Sequence, residues 1–362
     1  MLWTADDPAQ RVEIARWSLS SPWDLRRFHN PEVAAVMAEL LTRYNIDLVH
    51  IQHLIGHSLD LPRTARALGI PTALTLHDFY MACPSVNLLD ENRVFCGGTC
   101  TAGDGPCQTP VWLDDDFDLK HRFVHMWRDE TRKILEEVDV LITPSEDTKD
   151  HFVKIFGPEV GGRIHAIEHG RDFDRPRAFA RVGDKNEAIT ILLVGAINQS
   201  KGAALAAEVA RIGSERNVSV QLLGNVEPGY EDNVLSHGPY VRDDLPLILA
   251  QLRPTFVGVF SIWAETHCYV VSEAWAAGVP VLVGPLGAPA ERVRNHGGGV
   301  IVPSLEPSEI IDAALKAARD RTGYATLASE ASLSNVRTVA EMANDYRNLY
   351  SELLARKGAF SK

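Results

Sequence analysis

No stretch of this 362-residue chain carries 18 consecutive apolar residues, and its start has neither a basic cluster nor an apolar signal core. A spanning helix and a secretory leader are therefore not expected, and the chain reads as cytoplasmic, with room for peripheral association at an inner membrane face. Positive charge is in deficit: 36 Lys and Arg stand against 48 Asp and Glu, a formal charge of −12. That balance argues against nucleic acid or an anionic bilayer as the main partner. Cysteine is scarce, with five in all, yet four of them (Cys83, Cys96, Cys100 and Cys107) share one short window. In a reducing compartment such a cluster points to a metal knot or free thiols before disulfides. A four-thiolate structural zinc is the simplest chemistry that would staple so apolar-poor a loop, although the spacings are not those of paired CxxC knuckles.

What is present is an ordinary globular composition, 45% hydrophobic, 7% aromatic and 23% charged. The length exceeds what one core usually supports, so two domains are expected. The boundaries that follow are an N-terminal domain over 1–172, a linker over 173–186, a C-terminal domain over 187–335 and a terminal helix over 336–362 that packs back on the first domain.

Residues 1–30 show neither a strand nor a glycine-rich turn, although an α/β nucleotide fold normally opens with both, so the N-terminal domain reads as incomplete and the chain as a module of a longer polypeptide. From Asn30-Pro31 onward the pattern becomes regular. A helix, a strand over 47–51, a helix near 60–68 and a strand over 72–76 make a right-handed parallel unit. The second strand ends on His77, at the edge where an imidazole faces a cleft rather than a core. The aspartates Asp114, Asp115, Asp116 and Asp118 read as the solvated start of a helix over 117–137, not as a metal-binding DxD. A further αβ step ends in Glu168-His169-Gly170-Arg171-Asp172.

A second sheet begins at Thr190. Gly195 is placed at the turn, and Asn198-Gln199-Ser200-Lys201-Gly202 opens onto an alanine-rich helix. Amide groups at a helix N-terminus with Lys201 at the mouth suit phosphate, though the spelling is neither a Walker loop nor GxGxxG. After His237-Gly238-Pro239-Tyr240 comes the stretch from Phe260 to Gly284, in which Glu265 precedes a short helix and Glu273 lies on it.

Taken together, IDLVHIQHL, GIPTALTLHDFYMACP, VDVLITPSEDTKDHFVKIFG, IEHGRDF, ILLVGAINQSKG, HGPY and AETHCYVVSEAWAAGVPVLVGPLGAPAERV resemble the retaining glycosyltransferases of family 4, closest to modules that build bacterial surface polysaccharides. The resemblance implies a GT-B fold, two Rossmann-like α/β domains facing across a cleft. It implies a nucleoside-diphosphate sugar donor, a glycan or lipid-linked acceptor, and no metal requirement for catalysis. By the same resemblance Glu265 reaches the donor sugar and His77 contacts it from the other domain. Glu273 accepts from the ribose, Lys201 and Gly195 border the diphosphate, amides around His267, Cys268 and Tyr269 hold the distal phosphate, and Gly238 to Tyr240 border the base. Two positions depart from the family pattern. Ala196 stands where an arginine is usual, leaving Lys201 alone or with Arg292 or Arg171, and His267-Cys268 stands where Phe-Gly is usual. A GT-B-like epimerase or phosphorylase, and a non-catalytic module, are the alternatives.

Overall fold

The computed structural model describes residues 2–3, 12–20, 27–100, 107, 122–173, 188–230 and 234–360. The N-terminal part contains β1 (Leu2–Trp3), β2 (Glu13–Ala15), α1 (Pro31–Arg43), β3 (Val49–Ile51), α2 (Leu61–Ala67), β4 (Thr72–Thr75), α3 (Arg122–Glu137), β5 (Val140–Thr143), α4 (Glu146–Phe156), α5 (Pro158–Gly161) and β6 (Ile164–Ala166). Strands β3-β4-β5-β6 form a parallel sheet in that order, while β1 and β2 pair with each other, antiparallel, outside it. Residues 1–30 thus do hold two short strands, contrary to the sequence expectation. Among the described residues they pair only with each other, over two and three residues, too short for a periodic apolar signature.

Local chemistry explains where these elements start. Asn30 caps α1 by accepting from the amides of Glu32 (2.9 Å) and Val33 (3.2 Å), and Pro31 follows at a position whose missing N–H costs nothing. Strands β4 and β5 are buried at every residue, as expected for central strands of a parallel sheet covered on both faces. The aspartate run at 114–118 and all of the 173–186 linker except Phe173 lie outside the described residues.

The second part contains β7 (Ile189–Ile197), α6 (Ala203–Ser214), β8 (Val218–Val226), β9 (Leu235–Ser236), α7 (Leu245–Leu252), β10 (Phe256–Val259), α8 (Tyr269–Ala276), β11 (Val281–Val283), α9 (Gly287–His296), β12 (Gly299–Ile301), α10 (Pro307–Arg319), α11 (Arg321–Glu330) and α12 (Val339–Phe360). Its parallel sheet runs β12-β11-β10-β7-β8-β9 among the described residues. The order reverses between β7 and β10, so the loops leaving those two strands flank the crevice where ligands of open α/β sheets bind. Gly195 does not make the turn expected of it. Strand β7 runs on through it to Ile197, with Gly195 (φ 104°) opposite Gly224 (φ 129°), where a Cβ on Gly224 would overlap the Gly195 carbonyl.

The two sheets are joined by more than the chain. Helix α12 sets Leu349 and Leu353 against Ala73, Val140, Ile142 and Ile167 of the first sheet, with Met342 and Tyr346 alongside. Where it enters, it crosses the segment leaving β6. The Arg171 amide donates to Arg337 O (2.8 Å), Val339 N donates to Asp172 Oδ1 (3.1 Å), and a Cβ on Gly170 would overlap the Thr338 carbonyl. Because that obstacle is backbone, no rotamer relieves it. Gly170→Ala is expected to destabilise the chain by about 1–3 kcal/mol, read as a lower melting temperature; an unchanged melting temperature would show that the two crossings are not packed this tightly.

Candidate active site

The loop from β10 to α8 is held by its own side chains. The Ser261 hydroxyl donates to the Glu265 carboxylate, and the Glu265 carbonyl accepts from Ala288 N at 2.7 Å. Gly287, at φ +70°, lies where an added Cβ would be 2.6 Å from Glu265 N, so the start of α9 sits directly on this residue. Glu265 is buried and fixed at the carboxyl edge of the sheet, as the sequence reading placed it. The loop from β7 to α6 is tied to the same segment: Ile262 N donates to Ser200 O (3.0 Å), and Lys201 N donates to Asn198 Oδ1 (3.0 Å). Lys201 and Glu265 both lie near enough to bear on the Cys268 thiol. That thiol is pushed up chiefly by burial and further by Glu265, and drawn down by Lys201.

Cys268 itself precedes α8 at φ +77°, a conformation that L-residues other than glycine rarely adopt. Helix α8 therefore begins beside Lys201 and Glu265, both of which act on the Cys268 thiol, and a helix N-terminus so placed favours an anion. One turn further along, Glu273 is 4% exposed. Arg171 Nη1 donates to its Oε1, and Arg242 Nε stands 3.6 Å from the same oxygen. Both guanidinium groups also lie over the Tyr269 ring, at 5.9 and 5.2 Å. The Tyr240 hydroxyl is raised by burial and then by Glu273, which puts Tyr240 beside this group. Gly238, at φ +78°, turns the chain toward it, with its carbonyl accepting from Gly224 N at 2.8 Å.

The first domain supplies the opposing wall. His77 shares a 2.8 Å hydrogen bond between Nε2 and Gln52 Oε1, and its carbonyl accepts from the Thr266 hydroxyl across the cleft. Its ring stacks on His169 (5.3 Å between centroids), which meets His267 (4.9 Å) and Tyr269 (6.0 Å). Burial lowers all three imidazoles: His169 to about 4, helped by His77, and His267 to about 2, helped by Arg292; His77 is lowered too, with His53 adding to the effect. The stack is neutral near pH 7, and neither ring nitrogen of His267 has a hydrogen-bond partner among the described residues.

Two further pairs close the gap. Arg292, 4% exposed, donates to Cys268 O (3.1 Å) and Ser272 Oγ (2.9 Å), while its Nε lies 2.8 Å from Glu168 Oε1 in an ion pair. Glu291 of α9 accepts from the amides of Glu146 (3.2 Å) and Asp147 (2.6 Å), capping α4 of the other domain.

The structure thus brings together His77, Lys201, Tyr240, Glu265, His267, Cys268, Tyr269 and Glu273, whereas Gly195 lies inside β7, with open space where a Cβ would stand. It does not support the zinc. Among the described residues no three His, Cys, Asp or Glu converge as a metal site. Cys83, Cys96, Cys100 and Cys268 are free thiols; Cys83 belongs to the first domain's core and Cys96, Cys100 and Cys107 pack against it. Burial raises the Cys83 and Cys96 thiols, with Cys83 Sγ 3.3 Å from Ser85 Oγ, so apolar packing does the stapling that the metal was expected to do. Sequence reasoning missed His169, the pairing of Arg171 with Glu273, and the Glu291 cap. The turn after β6 was the available signal, since residues at that edge must face whatever closes over it.

Two parallel-sheet α/β domains meeting at their carboxyl edges make a GT-B fold, and the matches to known sequences give the class, a glycosyltransferase of the GT-B type. Within it, residues 3–175 match the family described as Glycosyltransferase Family 4, and residues 177–320 match the family described as Glycosyl transferases group 1. The chain is 26% identical to the Escherichia coli K12 protein named "Putative colanic acid biosynthesis glycosyl transferase WcaC", over 89% of this chain and 86% of that one. Among solved structures it resembles Anabaena Alr3699/HepE in complex with UDP (TM-score 0.61, 16% identity, 89% of this chain and 82% of that chain). It also resembles a sucrose-phosphate synthase from Thermosynechococcus elongatus (TM-score 0.62, 16% identity, 90% and 78%). At these identities the structural matches speak for the fold.

Two predictions follow from the geometry of this loop. Cys268→Gly should keep or raise the melting temperature by relieving the φ +77° backbone, whereas the β-branched Cys268→Val should lower it; the reverse order would contradict the backbone assignment. Because His169 and His267 gain protons near 4 and 2 when folded but at their ordinary 6.5 when unfolded, the unfolded chain binds more protons below about pH 6.5. Their contribution to stability is whole above that pH and is lost as pH falls toward 4. Thermal melts from pH 7.5 to 4.5 should therefore fall less steeply in a His169→Phe/His267→Phe double variant than in wild type.

Proposed function

We propose that the chain is a retaining glycosyltransferase that moves a hexosyl group from a nucleoside-diphosphate sugar to a glycan or lipid-linked acceptor in surface polysaccharide synthesis. The observation that carries this reading is the alignment along one helix. Lys201 and the first amides of α8 lie at one end, Glu265 is fixed beside them, and Glu273 is buried one turn further in. A donor laid along that line has its diphosphate at the positive end of α8, its ribose hydroxyls at Glu273, its base toward Tyr240, and its sugar between Glu265 and His77. Departure of the nucleoside diphosphate builds negative charge, which a lysine and helix-end amides stabilise without reorganising. His77 is neutral there and gives its Nε2–H to Gln52 Oε1, so toward the donor sugar its Nδ1 accepts from a hydroxyl rather than adding charge.

The Anabaena neighbour, whose structures hold UDP and UDP-glucose, supports the donor class. The name of the Escherichia coli relative supports the polysaccharide setting. Among the described residues no helix is long and apolar enough to cross a membrane.

Titration with UDP, GDP, ADP and dTDP should raise the melting temperature for at least one of them; no shift from any would sink the transferase reading. Given a binding nucleotide, Glu273→Gln should remove most of that shift. Glu265→Gln should retain it while cutting sugar-nucleotide turnover by roughly 100-fold or more, the usual scale for losing one positioned charge in an active site. Equal nucleotide affinity in wild type and Glu273→Gln would refute the ribose assignment.

A further inference from the structure

We infer that Arg171, at the hinge end of the first domain, is the second cation of the diphosphate site, taking the place left vacant by Ala196. The inference rests on the proposed nucleotide-sugar reading and assigns a residue that this reading leaves open.

Three arginines stand near α8, and their surroundings separate them. Arg292 is committed: 4% exposed, it holds Cys268 O, Ser272 Oγ and Glu168, and its guanidinium lies 5.0 Å from the Trp275 ring centre. No donor of that group turns outward without leaving a buried charge behind. Arg242 is loosely held, its side chain 60% exposed and its Nε 3.6 Å from Glu273. Arg171 is neither. Its side chain is 13% exposed, it lies between the rings of Phe173 (5.0 Å) and Tyr269 (5.9 Å), and its one hydrogen bond among the described residues uses Nη1. A guanidinium has five N–H donors, so Nη2 and Nε keep donors to give.

The position of those donors follows from the helix. Tyr269 is the first residue of α8 and Glu273 lies four residues on, so a guanidinium that touches both spans the interval between the phosphate end and the ribose carboxylate. A diphosphate joined to that ribose passes through the same interval. Arg171 can hold Glu273 with one nitrogen and the diphosphate with the others, bridging as only a planar fork can. Its backbone does not have to move: the amide is bound to Arg337 O at 2.8 Å, and Gly170 beside it is pressed on Thr338. On its far side Arg171 borders a cavity of about 840 Å³, shared with Asp172, Phe173, Arg337 and Glu341, which leaves the side chain space to adjust. Because this residue belongs to the chain crossing between domains, the diphosphate would be gripped from both halves at once.

The test compares each nucleoside diphosphate with its own nucleoside, UDP with uridine for example, by calorimetry on wild type, Arg171→Gln, Arg171→Lys, Arg242→Ala and Lys201→Ala. If the inference holds, Arg171→Gln weakens the diphosphate about tenfold or more, the usual worth of a charged hydrogen bond, and changes nucleoside affinity less than threefold. Arg171→Lys recovers part of the loss, Lys201→Ala behaves like Arg171→Gln, and Arg242→Ala has the smallest effect. Equal losses for diphosphate and nucleoside in Arg171→Gln would overturn it, since Arg171 would then only orient Glu273. Unchanged diphosphate affinity would overturn it as well. Wild type that binds no nucleoside diphosphate at all would instead remove the nucleotide-sugar reading, and this inference with it. A folding defect in Arg171→Gln, visible in its melting temperature, leaves the Arg171→Lys ratio to decide: a diphosphate-to-nucleoside affinity ratio equal to that of wild type overturns the specific fork geometry.

Discussion

A carboxylate that is 4% exposed must be met by a cation or give up its charge, and Glu273 is met by one from the other half of the molecule. Much of the architecture follows from that requirement. Arg171 can reach α8 only because the segment leaving β6 is stitched to the entry of α12, and that stitch needs a glycine at position 170. The helix α12 in turn is anchored on the first sheet through Leu349 and Leu353. The buried Glu273 is thus one of the points at which the two halves are held together, beside the Glu291, Arg292 and Thr266 contacts. The neutral stack His77–His169–His267 fills the space beside it without adding charge to an already charged interval.

The regular part of the fold was legible because its signals are local. Asn30-Pro31 announces α1 by capping chemistry, and the buried runs of β4 and β5 announce central strands. Helix α4 begins at Glu146 after the cap Ser145 and ends at Phe156 before Gly157, as its pattern indicates. The site residues on α8 and its loop were legible for a similar reason, since they sit in one continuous stretch of sequence. What was not legible depends on contacts between distant segments. Gly195 looked like a turn because glycine usually punctuates, yet it is inside β7 on account of its approach to Gly224. The cysteine cluster looked like a metal site because the loop was read as poor in apolar residues; in the fold its own Leu88, Val86 and Phe95 join a core whose other members come from elsewhere in the chain.

The departures from the family pattern acquire a physical meaning in this setting. His267 in place of a phenylalanine keeps a flat ring in the same packed site, where burial strips it of charge. Cys268 keeps a backbone angle that suits glycine and accepts some strain in return for a side chain half-buried against the second core. Ala196 removes a cation from the end of β7, and Lys201 stays in the loop that follows. These changes leave the positive end of α8 intact, and it is the feature on which binding of an anionic leaving group depends.

The Glu291 cap on α4 gives the contact between domains a different character from a hydrophobic seam. Its carboxylate, raised by burial, satisfies the first amides of a helix that belongs to the opposite sheet. Separating the domains therefore transfers two backbone amides and one carboxyl group into water, all of which water accepts readily. Such a latch is directional when shut and its own groups release into water, while beside it Ala264 and Trp263 carry the apolar part of the same contact on the first domain's core.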